Sequence, residues 1–149
     1  MSLIRMTKNN CESSTTSDFK VFVYGTLKPG GHYWPAFCAG KLAAEPVPAK
    51  IRGELYDLHV GYPGLLLRGE QWVHGYLLEM ADAAAFAGLD YLEGYVPGRP
   101  AAENDYNRLR MTCYTPAGEA LAEVWIYEMS VEKIAQHDGT RIESGDWPV

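Results

Sequence analysis

Cysteine is scarce in this chain. There are three residues, Cys11, Cys38 and Cys113. An odd count at wide spacing fits neither a disulfide framework nor a zinc site. Four scattered histidines, His32, His59, His74 and His137, add no ligand spacing, so no metal and no cofactor is expected. No apolar run approaches the ~20 residues that span a bilayer. The first 18 residues are polar and lack the apolar core of a secretory signal. They read as a flexible leader, and the protein is expected in the cytoplasm. Basic clusters are also missing. Thirteen Lys and Arg stand against nineteen Asp and Glu, a net charge of −6. Nucleic acid is thereby an unfavourable partner, and an anionic small molecule would have to be held by local donors. No internal repeat is visible.

What remains is an ordinary globular composition. The chain has 149 residues, 47% of them hydrophobic, enough for one domain with a normal core. That domain is expected over 19–149. Ten Tyr and four Trp are many for this length and suit a pocket as well as a core.

Short apolar runs bounded by Gly, Pro and Asn predict several strands. They fall at 19–24, within 41–58, within 61–69, at 71–80, at 106–115 and at 120–129. Pro46 and Pro48 are expected to separate two strands and to demote the first to an edge or a bulge. Gly75 inside "QWVHGYLLEM" predicts a bulge or a close backbone approach. "LKPGGHYWPAFCAG" has room for one helical turn, and the tail after 129 for a short helix. One segment changes period. Asp82 is placed to cap a helix that runs to about Glu93, and Gly94 to close it. Many strands with one clear helix indicate an α+β domain, a strongly curved sheet or small barrel.

Two features carry chemistry. In "VFVYGTLKPG" a buried strand ends at Tyr24 in a glycine-rich loop. The plain reading is a turn cornered at Pro29 and Gly30. The sharper reading is an anion cradle, in which Gly25 admits close approach and successive N–H groups point inward. The order GxxxxGK[ST] is absent, so the loop is not a Walker phosphate loop. Lys28 is expected as a solvated surface lysine.

The second feature is a carboxylate in the helix stripe. At about 100° per residue, with Phe86 at zero, Leu89 falls near about 300° and Glu93 near about 340°. Asp90 lies at about 40°, on the stripe's edge. Glu93 therefore faces the expected core. It sits in the last turn, where a side chain can escape to water. If buried, desolvation would raise its pKa and suit it to take and return a proton near neutrality. Asp90 and Glu93 as a glycoside-cleaving pair would need carboxyls about 5–9.5 Å apart across a cleft, and no further acid-rich motif supports that. Cys38 and Cys113 read as core residues, Cys11 as inert. His74 and His137 read as packed or solvated, and "YPG" at 62–64 as a turn.

Taken in order, "VYGTLKPG", "LDYLEGY", "YNR" and "VWIY" resemble the gamma-glutamylcyclotransferase-like family, over roughly residues 19–129. The resemblance implies a small mixed β-barrel with a few packed helices. It implies that Tyr24, Gly25, Thr26 and Leu27 form the substrate-binding loop, that Glu93 is the catalytic acid/base, and that Tyr106 and Tyr127 line the site. The implied partner is a small gamma-glutamyl compound, cyclised to 5-oxoproline with release of an amine or amino acid. The stretch "VPGRPAAEND" at 96–105 departs from the compact pattern and reads as a lid or specificity loop. The alternatives are a non-catalytic module that binds an amino-acid carboxylate on the same fold, and a different amide-cleaving or acyl-transfer enzyme. Oligomeric state is left open.

Overall fold

The computed structural model describes residues 19–149; the expected leader and Cys11 lie outside the described residues. Five strands close into a barrel in the order β1 (Lys20–Val23), β5 (Trp72–Glu79), β2 (Val47–Arg52), β6 (Asn107–Tyr114), β7 (Ala120–Glu128). Neighbours are antiparallel except at the seam, where β1 meets β7 in parallel at Val21 and Trp125. A second sheet of β4 (Pro63–Leu66), β3 (Glu54–Asp57) and β8 (Thr140–Arg141) lies beside it. Helices α1 (Trp34–Phe37), α2 (Ala83–Glu93) and α3 (Val131–Gln136) complete the fold. The small mixed barrel with a few packed helices is thus as expected.

Strand alternation sorts the core into two layers. Phe22 and Tyr24 pack with Ile51, Val73, Leu77 and Ile126, while Val21 and Val23 pack with Phe86, Leu89 and Tyr127. The first set fills the barrel and the second seals α2 against it. Gly75 is a close approach: a Cβ there would lie 2.0 Å from the Val23 carbonyl oxygen. Any side chain would force β5 away from β1.

The prolines do not separate two strands. β2 runs through Pro48, which pairs with Tyr76 of β5. Its other neighbour, β6, meets β2 only at Lys50, so the missing N–H costs no ladder bond there. The break comes later, at Gly53, where the chain leaves the barrel for the second sheet. The residues before Pro46 contribute only a single bridge, Leu42 to Met80.

Both ends of α2 are set by the residues expected to set them. Asp82 accepts from the Ala85 N–H at 2.8 Å, satisfying an otherwise orphaned donor. Gly94 adopts the left-handed conformation, φ 67°. Its N–H reaches Tyr91 O at 3.2 Å, and the Tyr95 N–H reaches Asp90 O at 3.0 Å. This termination fixes the direction in which Glu93 leaves the helix.

Candidate active site

The loop after β1 coils tightly. The Lys28 N–H donates to Gly25 O at 3.1 Å, the Gly31 N–H to Lys28 O at 2.7 Å and the Tyr33 N–H to Thr26 O at 3.0 Å. Glycine is required at two places. A Cβ on Gly31 would lie 2.4 Å from Thr26 O, and one on Gly25 would lie 2.8 Å from the Pro63 ring. The coil leaves three successive N–H groups, those of Gly25, Thr26 and Leu27, without a hydrogen-bond acceptor among the described residues. Buried donors without partners are rare in proteins. Here three stand in a row beside a cavity, Gly25 and Leu27 buried and Thr26 half-buried, a pattern that suits an anion-binding nest.

That cavity holds about 140 Å³. All seven residues singled out from the sequence line it: Tyr24, Gly25, Thr26, Leu27, Glu93, Tyr106 and Tyr127. Sequence reasoning missed Tyr33, Leu92 and Asp105, and misjudged Tyr62 and Pro63. Pro63 does not corner a free turn. It opens β4, pairs with Asp57, and forms the cavity wall against Gly25. No Lys, Arg or His is among the lining residues, so an anionic group entering here meets backbone N–H groups and not a side-chain cation.

Burial pushes the Glu93 carboxyl up from 4.5 to about 8, helped by the negative charges of Asp105 and then Asp90. Desolvation penalises the carboxylate, and like charges add to the penalty. Asp105 comes from the 96–105 stretch, which is a hydrogen-bonded turn. Asn104, buried, accepts from the Val96 N–H at 3.1 Å and from Arg99 Nε at 2.7 Å, and donates to Asn107 Oδ1 at 2.9 Å. The Asp105 N–H donates to Gly94 O at 3.1 Å. This places its carboxylate against the end of α2, where a Cβ on Gly94 would meet Asp105 Oδ2 at 2.5 Å.

The tyrosine hydroxyls are already committed as donors. Tyr24 donates to Tyr127 O at 2.7 Å, Tyr106 to Pro63 O at 2.6 Å, and Tyr127 to Asp90 Oδ1 at 2.6 Å. Burial raises the pKa of all three, the charge of Glu93 acts in the same direction on each, and Asp90 adds to it at Tyr127. They remain protonated. While these bonds hold they offer a ligand only oxygen lone pairs, which suits an ammonium better than a carboxylate. Tyr24 thus has no spare O–H for a bound carboxylate while its bond to Tyr127 O holds.

Lys28 departs from expectation altogether. It is buried, with Nζ bonded to Asp146 Oδ1 at 2.8 Å and Trp147 O at 2.6 Å. His74 is exposed and does not line the cavity, and the Cys38 and Cys113 thiols are buried, Cys38 pushed up to about 12 by desolvation. Neither thiol has the lowered pKa of a nucleophile. Among the described residues no group of His, Cys, Asp and Glu is arranged to hold a metal ion, and no helix is long and apolar enough to cross a membrane.

A closed five-strand barrel with a glycine-rich loop and a helix-end carboxylate at one cavity defines the gamma-glutamylcyclotransferase-like fold class. The family model described as "Gamma-glutamyl cyclotransferase, AIG2-like" matches residues 21–149, and the chain belongs to that family. Solved structures agree on the fold. YkqA from Bacillus subtilis superposes with a TM-score of 0.60 at 23% identity, over 86% of this chain and 39% of YkqA. The chain thus spans well under half the length of that protein. The uropathogenic E. coli-specific protein c4763 gives a TM-score of 0.57 at 18% identity, covering 86% of this chain and 91% of its own. An AIG2-like protein from Mus musculus gives 0.54 at 22% identity, over 77% and 81%. No curated protein is significantly similar in sequence.

Proposed function

We propose that the chain is a cofactor-independent enzyme that cyclises a gamma-glutamyl group to 5-oxoproline and releases the attached amine or amino acid. One observation carries this reading. A carboxyl with its pKa raised to about 8 and three unpartnered backbone N–H groups share one cavity of about 140 Å³. A pure anion binder gains nothing from a carboxylate opposite its nest. An enzyme that must move a proton beside a bound carboxylate needs both.

In this scheme the substrate's α-carboxylate lies on the N–H groups of Gly25, Thr26 and Leu27. The Glu93 carboxylate takes a proton from the α-ammonium. The freed amine attacks the γ-carbonyl, forming the lactam C–N bond as the carbonyl π pair moves onto oxygen. Glu93 then returns the proton to the leaving nitrogen as the original amide C–N bond breaks, and the ring nitrogen's second proton passes to the departing amine, which leaves as an ammonium. Tyr24, Tyr106 and Tyr127 form the wall that folds the gamma-glutamyl chain back on itself. The substrate supplies its own nucleophile, so orientation does much of the work, on the order of 7–11 kcal/mol for a well-aligned intramolecular attack. Proton transfer by Glu93 adds roughly 10²–10⁴-fold.

The test is release of 5-oxoproline from a panel of glutathione, gamma-glutamyl amino acids and gamma-glutamylamines, run beside Glu93→Gln. The expected outcome is lactam from at least one compound, and a variant that binds ligand but turns over at least ~10²-fold more slowly. Free glutamate as product would indicate a hydrolase. Binding without turnover by the wild-type protein would indicate the non-catalytic module.

A further inference from the structure

Lys28 is a buried cation that the proposed chemistry does not use. It belongs to the same coil as the nest, one residue after Leu27, yet it does not line the cavity. Its side chain is 5% exposed, while that of Asp146 is 58% exposed. The ammonium therefore reaches outward through the packing to a partner 118 residues away. A flexible lysine stem held in this way costs side-chain entropy and desolvation. A loop that needed only to turn would gain little from it.

The receiving segment is itself fastened down. The His74 N–H of β5 donates to Gly145 O at 2.8 Å, the Gly145 N–H donates to Ile142 O at 3.0 Å, and the Ile142 N–H to Leu55 O at 2.8 Å. Gly145 has φ 70°, and a Cβ on it would lie 2.0 Å from Trp72 O. The segment lies directly on β5. The carbonyl and carboxylate that hold Lys28 Nζ thus follow directly on a residue bonded to the barrel, and Lys28 is held at three points: its N–H to Gly25 O, its C=O from Gly31 N–H, and its ammonium to this strap.

We infer that Lys28 is a positioning residue, whose bonds to Asp146 and the Trp147 carbonyl hold the coil that presents the Gly25, Thr26 and Leu27 N–H groups to the cavity. The inference rests on the function proposed above for its kinetic consequence, but not for its structural one. Without the anchor the coil loses its ion pair to the C-terminal strap, and the three N–H groups, set by coil geometry, spread apart. The loss falls on ground-state recognition of the α-carboxylate. KM therefore rises while kcat changes little, since binding common to ground and transition states is what is removed.

The experiment compares Lys28→Met, Asp146→Asn and the double variant in the full chain, by steady-state kinetics on whichever gamma-glutamyl compound the wild type turns over, and by amide hydrogen exchange. The expected result is a KM raised at least ~10-fold in Lys28→Met with kcat within about threefold. A smaller rise is expected in Asp146→Asn, which keeps the Trp147 carbonyl as partner, and no further loss in the double variant. Exchange at the Lys28 and Gly31 N–H groups should rise at least ~10-fold, with β5 and β7 amides unchanged. A merely structural role would lower the active fraction, hence apparent kcat, and leave KM alone. If Lys28→Met does not fold, Asp146→Asn carries the same test. Unchanged KM and unchanged loop exchange in a folded variant would overturn the inference. If the wild type turns over none of the compounds, the proposed reaction falls, and the exchange data still decide whether Lys28 holds the loop.

Discussion

Asp90 and Glu93 stand one turn apart on α2, and of the two it is Asp90 that is paired with a cation: Arg108 Nη1 lies 2.7 Å from Asp90 Oδ2. Both partners are 14% exposed. The Arg108 guanidinium also packs 4.9 Å from the Phe86 ring centre and 4.4 Å from that of Trp125. Asp90 accepts from Tyr127 as well. Two neighbouring carboxyls thus receive opposite environments. One is paired with a stacked guanidinium and accepts from a hydroxyl; the other is left to desolvation, which raises its pKa. Under the proposed reaction, Asp90 has a structural place and Glu93 the proton transfer.

Removing that cation should be costly. Arg108→Leu leaves Asp90 buried without its counter-charge, and loss of one partner of a buried pair costs roughly 3–5 kcal/mol. Adding Asp90→Asn should restore a substantial part. Urea unfolding of the single and double variants checks this; equal stability of both would show the pair to be unimportant.

Stability should fall with pH through the Glu93 range. Its folded pKa, about 8, lies above its ordinary 4.5. Between these values the folded state binds more protons than the unfolded one. The contribution is fully present below about 4.5 and lost as pH rises through about 8. Glu93→Gln lacks it, so the variant's stability relative to wild type should increase steadily from the acid to the alkaline end. A constant difference across that window would contradict the raised pKa.

The rate profile should respond to Asp105. Glu93 must begin as a carboxylate to accept a proton, so turnover should rise as pH approaches about 8. After burial, the charge of Asp105 is the largest cause of that value. Asp105→Asn should move the midpoint of the acid limb downward while the limb itself persists. An unmoved midpoint in the variant would mean that Asp105 is not felt at Glu93.

Gly25→Ala probes the closeness of the loop to β4. The added methyl would lie 2.8 Å from the Pro63 ring, and overpacking of this kind costs roughly 1–3 kcal/mol. Because the displaced atoms belong to the nest, KM should rise along with a lowered Tm. A Tm drop with unchanged KM would place the nest elsewhere.

Much of this site was legible because its signals are local. Tyr24 and Gly25 are marked by a strand stopping at a glycine-rich coil, and Glu93 by a carboxylate on an apolar stripe between a capping Asp82 and a terminating Gly94. Many strands with one clear helix pointed to a curved sheet or small barrel, and the small mixed barrel itself was what the family resemblance implied. The parts that were not legible depend on distant chain. Lys28 looks solvated because its acceptors lie at 146 and 147, and nothing near it hints at burial. Tyr62 and Pro63 look like a turn because only the approach of Gly25 makes them a wall. Arg108 belongs to the "YNR" stretch that marked Tyr106, but its pairing was foreshadowed only by Asp90 at the edge of the stripe, a charge in want of a counter-ion.

The single parallel contact between β1 and β7, at Val21 and Trp125, sets when the cavity can exist. Tyr24 follows the first barrel strand and Tyr127 lies near the end of the last, and their mutual bond spans 103 positions. A nascent chain on the ribosome that has emerged only through β6 holds the coil and the helix-end acid but not yet Tyr127, which lines the same cavity. The cavity's last wall therefore waits on the slow non-local pairing that joins the two ends of the barrel.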